Sequence, residues 1–60
     1  MEEKLLSVRE ACEMTGLSRS TLWRLERSGE FPRRRQIAKR RVAFLHSEVR
    51  RWMQSREAVA

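Results

Sequence analysis

Sixty residues that carry fourteen Lys and Arg against eight Asp and Glu make a small chain of formal net charge +6 and pI ≈ 11.3. A chain this short buries only about 60% of the surface its unfolded form exposes, which allows one small core and excludes a large enzymatic cleft. The charge balance favours a polyanionic partner over an acidic small molecule, and the single cysteine, Cys12, with the single histidine, His46, excludes an intrachain disulfide or a Cys/His metal set.

The lone thiol suits a reducing cytosol. Met1-Glu2-Glu3 lacks the basic and apolar regions of a signal peptide, and the longest apolar run is too short to span a bilayer, so a soluble, cytoplasmic protein with no membrane partner is expected. The charges are uneven. Up to Gly16 four Glu face Lys4 and Arg9, whereas the remainder sets twelve basic residues against Glu26, Glu30, Glu48 and Glu57, so one end of the molecule should be the binding face. One domain spanning 1–60 is expected, ordered over about 4–56, with Glu57 to Ala60 a frayed tail.

Lys4 to Leu6 reads as a short apolar lead-in of extended character. Ser7-Val8-Arg9-Glu10 fits the capping box, in which the Ser side chain accepts from the N3 amide and the Glu side chain accepts from the Ser amide. Val8, Ala11, Cys12 and Thr15 then recur at helical spacing as a narrow stripe of small residues, and Gly16 supplies the C-cap. A second helix follows almost at once, a spacing that fits a helix-turn-helix.

That helix lies within Leu17 to Gly29, LSRSTLWRLERSG. Ser18 is its N-cap, Leu17 can staple onto Leu22, and Gly29 followed by Pro32 ends it. Leu22 and Leu25 share the buried face, with Glu26 at its edge, while Ser20, Trp23, Arg24 and Arg27 cluster on the opposite face. An aromatic and two guanidinium groups pointing outward suit a DNA-reading helix better than the mixed Glu and Lys of an ordinary surface helix.

Phe31 to Leu45, FPRRRQIAKRRVAFL, alternates as a hairpin: Ile37 on one limb faces the same way as Val42 and Phe44 on the other, with Ala38 to Arg41 at the bend. Arg33, Arg34, Arg35, Lys39, Arg40 and Arg41 have no acidic residue between them, so a partner is expected to supply the anions. Ser47 is expected to cap a third helix with Glu48 in its first turn. Val49, Trp52 and Met53 form its core stripe, and Arg50, Arg51 and Arg56 line its outside.

The run LLSVREACEMTGLSRSTLWRLERSGEFPRR, a basic hairpin and then HSEVRRWM resemble the AlpA-like prophage regulators, relatives of the MerR-type and excisionase DNA-binding domains. The resemblance covers roughly Leu5 to Met53, and its most specific pieces are GLSRSTLWRL, GEFPRR and SEVRRW. It implies a mainly α, MerR-like winged helix-turn-helix with two helices, a basic β-hairpin wing and a closing third helix. The second helix would enter the major groove, and the wing would follow the adjacent minor groove or backbone. Ser18, Arg19, Ser20, Thr21, Trp23 and Arg24 fall on the DNA-facing helix of the family, and Arg40 and Arg41 on its basic wing. The chain departs from the pattern in three places: Trp23 stands where Tyr is frequent, Ala38-Lys39 replaces a Gly- or Ser-rich bend, and Arg35 occupies a position where an apolar strand residue is common.

The expected function is sequence-specific binding of double-stranded DNA as a prophage-type transcriptional regulator, nucleoid-associated in the cytoplasm, with no cofactor. Arg24, and secondarily Arg27 or Arg19, would read base edges, while Ser18, Ser20 and Thr21 would fix the helix N-terminus on phosphates. Arg34, Lys39, Arg40 and Arg41 would grip the backbone or enter the minor groove. The alternative of the same class is an excisionase that bends attachment-site DNA, with an integrase or neighbouring copies of the chain as further partners. Other classes are a small protein-binding inhibitor with a basic face, or RNA binding through Trp23. An enzyme is the weakest reading, with His46 a helix-entry residue and Cys12 a small buried hydrophobe.

Overall fold

Two short helices, a hairpin and a third helix follow a brief first strand in the computed structural model, which describes residues 3–59. The elements are β1 (Leu5–Leu6), α1 (Val8–Thr15), α2 (Arg19–Arg27), β2 (Arg35–Ala38), β3 (Arg41–Leu45) and α3 (His46–Gln54). The helices span 8, 9 and 9 residues, yet the sheet forms a layer of its own, so "mainly α" describes the molecule only loosely. Three helices with a small antiparallel hairpin are consistent with a winged helix-like domain.

Local chemistry sets the helix ends. Ser7 and Glu10 close the capping box in both directions, at 3.1 Å and 2.8 Å. The chain leaves α1 through Gly16 at φ +77°, which glycine adopts without a Cβ penalty. Ser18 caps α2 by accepting from the Thr21 amide at 3.2 Å. At the other end Gly29, φ +81°, lets its own amide donate to the Glu26 carbonyl and the Glu30 amide donate to that of Leu25. This paired arrangement satisfies carbonyls the last turn would otherwise leave open.

The lead-in is more than a linker. β1 pairs antiparallel with β3, Leu5 opposite Leu45 and Leu6 opposite Phe44, so β3 becomes the central strand of the order β1-β3-β2. Burying Leu6 gives this two-residue strand its reason to pair.

The capping of α3 differs from expectation. Leu45 occupies the N-cap position without a side-chain bond, and α3 starts at His46. Ser47 instead donates its amide and hydroxyl to the Glu3 carboxylate, at 3.1 Å and 2.6 Å, while the His46 amide donates to the Lys4 carbonyl at 2.8 Å. A carboxylate from the other end of the chain therefore sits on the positive end of α3, where the helix dipole favours it. The Ser47 hydroxyl and then its amide hold the Glu3 carboxyl below the ordinary carboxylate value.

The core lies between the helices and the sheet. Leu6, Ala11, Leu22, Phe31, Phe44 and Val49 form it, with Val8, Cys12, Met14, Leu17, Leu25 and Trp52 packed around. Phe31 stands edge-on to both Phe44 (5.5 Å) and Trp52 (4.9 Å), the offset geometry aromatic quadrupoles prefer. Trp52 is only half-buried, and its indole N–H donates to the Glu30 carbonyl, which fixes α3 to the chain leaving α2.

The hairpin keeps its expected place but not its expected facing. Ala38 pairs with Arg41, which leaves Lys39-Arg40 as a two-residue turn, and the register shifts between Gln36 and Ala38 so that Ile37 is the extra residue of a bulge. The favoured two-residue hairpin turns need positive φ, and among the described residues only Gly16 and Gly29 have it. A bulge that bends the strand and raises its twist accommodates the unprimed turn. Ile37 and Val42 are 42% and 43% exposed, whereas Ala43 and Phe44 are buried. Val42 shares a face with Phe44 but lies beyond the edge of the core. Residues 57–59 have no regular structure, and Ala60, Met1 and Glu2 lie outside the described residues.

Candidate nucleic-acid interface

The outward face of α2 follows from its two leucines. With Leu22 fully buried and Leu25 packed beside it, the 100° step turns Ser20, Trp23, Arg24 and Arg27 outward, and all four are exposed. Trp23 keeps 51% of its surface open. The Arg27 guanidinium lies over its ring at 4.7 Å from the centroid, so cation and indole form one stacked unit.

At the N-terminal end of α2, Ser18 donates its hydroxyl to Thr21 Oγ1 at 2.9 Å and lies 3.4 Å from the Ser20 hydroxyl. Arg24 Nη2 donates to Thr21 Oγ1 at 3.4 Å, a long bond that tethers the guanidinium over the first turn. Hydroxyls, open amides and the helix dipole thus meet where an anion is favoured. Arg19 and Ser20 join Trp23, Val8 of α1 and Arg34 in lining a shallow open groove. Val8 had no place in the sequence-based site, because its role comes only from how α1 crosses α2.

Arg34 is used differently from its neighbours in sequence. Its Nε donates to both Glu26 carboxylate oxygens (3.1 Å and 3.0 Å), its Nη2 donates to Oε1 at 2.8 Å, and its backbone amide donates to Oε2 at 2.9 Å. The guanidinium also lies 5.4 Å from the centroid of the Phe44 ring. Glu26 is the one buried charged residue among those described, and the Arg34 fork matches its carboxylate. Burial alone would raise the Glu26 carboxyl, but the Arg34 hydrogen bonds and charge, with Arg33 nearby, outweigh it and hold the carboxyl below its ordinary value. The same pairing raises Arg34 further. Arg34 is thus a brace between α2 and the wing, while its Nη1 hydrogens and one on Nη2 stay unpaired among the described residues, beside the groove it lines with Arg19 and Trp23. A buried-edge Glu in an otherwise basic helix was the available signal, since such a carboxylate requires a partner.

Arg35 is likewise paired. Its Nη2 donates to Glu48 of α3 at 2.7 Å, which resolves the unusual cation on this strand and keeps it charged. The wing is therefore tied to α2 through Arg34 and to α3 through Arg35. Lys39, Arg40 and Arg41 are exposed and make no ion pair among the described residues, nor do Arg19, Arg24, Arg27 and Arg33.

A second shallow depression is lined by Pro32, Glu48, Arg51, Trp52 and Ser55. No three His, Cys, Asp or Glu side chains converge to hold a metal ion, and no helix is long and apolar enough to cross a membrane. Cys12 is a half-buried free thiol packed on the core, and His46 is the first residue of α3.

Residues 4–57 match the family described as Prophage CP4-57 regulatory protein (AlpA). Over 57 residues the chain is 47% identical to "Uncharacterized protein ORF88" of Enterobacteria phage P4, a match that covers 95% of this chain and 65% of that relative. The chain thus spans just under two thirds of the relative's length. No solved structure matches it.

Proposed function

Because this chain belongs to the AlpA family of prophage regulatory proteins, we propose that it is a non-enzymatic transcriptional regulator that binds double-stranded DNA sequence-specifically as a winged helix-turn-helix. The observation that carries this reading is the pair of surfaces on which Arg19, Arg24 and Arg27, and then Lys39, Arg40 and Arg41, stand exposed without a carboxylate to pair them.

In this reading α2 lies in the major groove. Arg24 reads a base edge, for which a guanidinium fork paired with guanine O6 and N7 gives about 1–3 kcal/mol of discrimination. Arg27, held over Trp23, and Arg19 are the secondary readers. Ser18, Ser20 and Thr21 place the start of α2 on phosphates. Lys39, Arg40 and Arg41 take the backbone along the adjacent minor groove, where they supply affinity and salt dependence rather than base readout. Arg34 sets the angle between the two halves through Glu26, and the guanidinium hydrogens that Glu26 leaves free take backbone phosphate beside Arg19.

Titration into a random-sequence duplex pool at several salt concentrations, followed by sequencing of the bound fraction, tests the proposal. An enriched motif with a log-log salt slope of several units is expected. On the selected site Arg24→Ala should lose about 5- to 150-fold in affinity and relax specificity at one position, whereas Arg40→Ala should weaken all duplexes alike and flatten the slope by about one. Steep salt dependence with no enriched motif would leave a polycation and refute the regulator. Competition by RNA or an acidic protein at equal strength would do the same.

A further inference from the structure

The outward face of α2 is polar except at one place. Ser20, Arg24 and Arg27 present a hydroxyl and two guanidinium groups, whereas Trp23 leaves 51% of its surface open. The Arg27 guanidinium lies over the indole at 4.7 Å, while the groove beside the indole is bordered by Trp23, Val8, Arg19, Ser20 and Arg34. One part of its wall is therefore indole and isopropyl group, and the other is hydroxyl and cation, including the guanidinium hydrogens of Arg34 that Glu26 leaves free. A row of phosphates would satisfy the cations and gain nothing from the apolar part. Base edges that only donate and accept hydrogen bonds would do no better there, because carbon surface returns no bond for those it excludes. The 5-methyl of thymine is the apolar group that the base pairs present in the major groove. It projects from the base edge toward the backbone of its own strand, so a single nucleotide offers a phosphate and a methyl group side by side.

Resting on the reading that the chain binds duplex DNA through α2, we infer that this groove reads one thymine by its 5-methyl group, with Trp23 as the specificity-determining residue. The methyl packs on the indole and on Val8, and Arg34 and Ser20 hold the phosphate on the 5′ side of the same nucleotide, beside Arg19. Arg27, stacked on the ring, limits its rotation, so the apolar surface is set before DNA arrives. The contact separates thymine from cytosine, which has a hydrogen in place of the methyl. It separates DNA from RNA in the same way, because uracil lacks the methyl as well. The thymine should stand at a fixed distance from the guanine that Arg24 reads.

The test replaces each thymine of the selected duplex in turn by deoxyuridine, which removes the methyl and keeps the base pair, and measures affinity for three proteins. For the wild type, one position per bound copy should lose about fourfold, the gain from burying one methyl group, and the others less than about twofold. Trp23→Ser should bind the parent duplex more weakly and should no longer distinguish thymine from uracil at that position. Arg24→Ala should lose affinity for both duplexes and keep their ratio. Circular dichroism melts check that each variant is folded, as expected for residues this exposed. A selected site in which no thymine is sensitive to its methyl, or a uracil penalty that persists in Trp23→Ser, overturns the thymine contact; the groove would then take only sugar and phosphate, with DNA binding left standing. Absence of any sequence-selected complex overturns the contact together with the reading on which it rests.

Discussion

The base and the tip of the wing carry the same kind of residue and use it in opposite ways. At the base Arg34 is locked onto Glu26 of α2 and Arg35 onto Glu48 of α3, at 2.8 Å and 2.7 Å. Four residues further on, Lys39, Arg40 and Arg41 have no carboxylate within ion-pair distance among the described residues. What separates them is reach, because α2 and α3 each bring one Glu to the base and neither extends to the tip. The base therefore spends charge on orientation, fixing the wing relative to the helix proposed to read DNA. Charge at the tip stays unpaired among the described residues, where the proposed DNA contact would use it.

The largest effect should come from breaking the base at its apolar centre. Phe44 is fully buried and lies on the same face of β3 as Val42, so the two differ in where along the wing they stand rather than in which way they point. Phe44→Ala should cost about 3–5 kcal/mol, comparable to the whole stability a core of this size supplies, and leave the chain largely unfolded at 25 °C by circular dichroism. A cooperative melt only a few degrees below that of the wild type would mean that the core is not centred on β3.

A smaller loss should follow from removing the ionic brace. Glu26→Ala strands the Arg34 guanidinium, partly shielded from water over the Phe44 ring, and should cost about 2–3 kcal/mol, less than a fully buried pair because Arg34 keeps some solvent access. In a domain this small that lowers the melting temperature by about 10–20 °C. Its acid dependence has a definite sign. The Glu26 carboxyl is held below its ordinary value of 4.5 in the folded state, so its contribution is complete above about pH 5 and is lost as pH falls through the depressed value. Glu26→Ala should therefore flatten the acid limb of stability against pH. Glu3 and Glu10 are lowered as well, through Ser47 and Ser7, and should leave a residual slope. An unchanged acid limb would show that the pair does not link α2 to the wing.

Features set within one turn of chain were legible in the sequence, and features that need the fold to be assembled were not. The capping box at Ser7, the left-handed exits at Gly16 and Gly29, and the outward set of Ser20, Trp23, Arg24 and Arg27 depend on spacings of a few residues. Helix α3 shows the limit: Ser47 has the right chemistry for a cap, but Glu3 reaches the same amide from 44 residues away. The hairpin shows another. Alternation located its two limbs correctly, yet the bulge broke the period at Ile37, and Val42, though on the face of Phe44, lies beyond the edge of the core. The run of arginines was the least legible part. Arg33 to Arg35 and Lys39 to Arg41 look alike as letters, and only the positions of Glu26 and Glu48 in space divide braces from free cations.

That division is sharpest in the smallest expected effect, where two substitutions of one residue type should have opposite signs. Arg34→Gln removes the fork from Glu26 and should destabilise the protein about as much as Glu26→Ala does. Arg40→Gln removes one of several like charges crowded into the tip, and it should leave stability within about 0.5 kcal/mol of the wild type, on the stabilising side at low salt. Adding salt screens the tip over about 10 Å at 0.1 M and should erase that small gain, while the partly buried brace is screened less. Parallel urea titrations at two salt concentrations would resolve the contrast. If Arg40→Gln instead lost a kilocalorie or more at either salt, the tip would be holding the fold together, and its unpaired charge could no longer be attributed to a partner outside the protein.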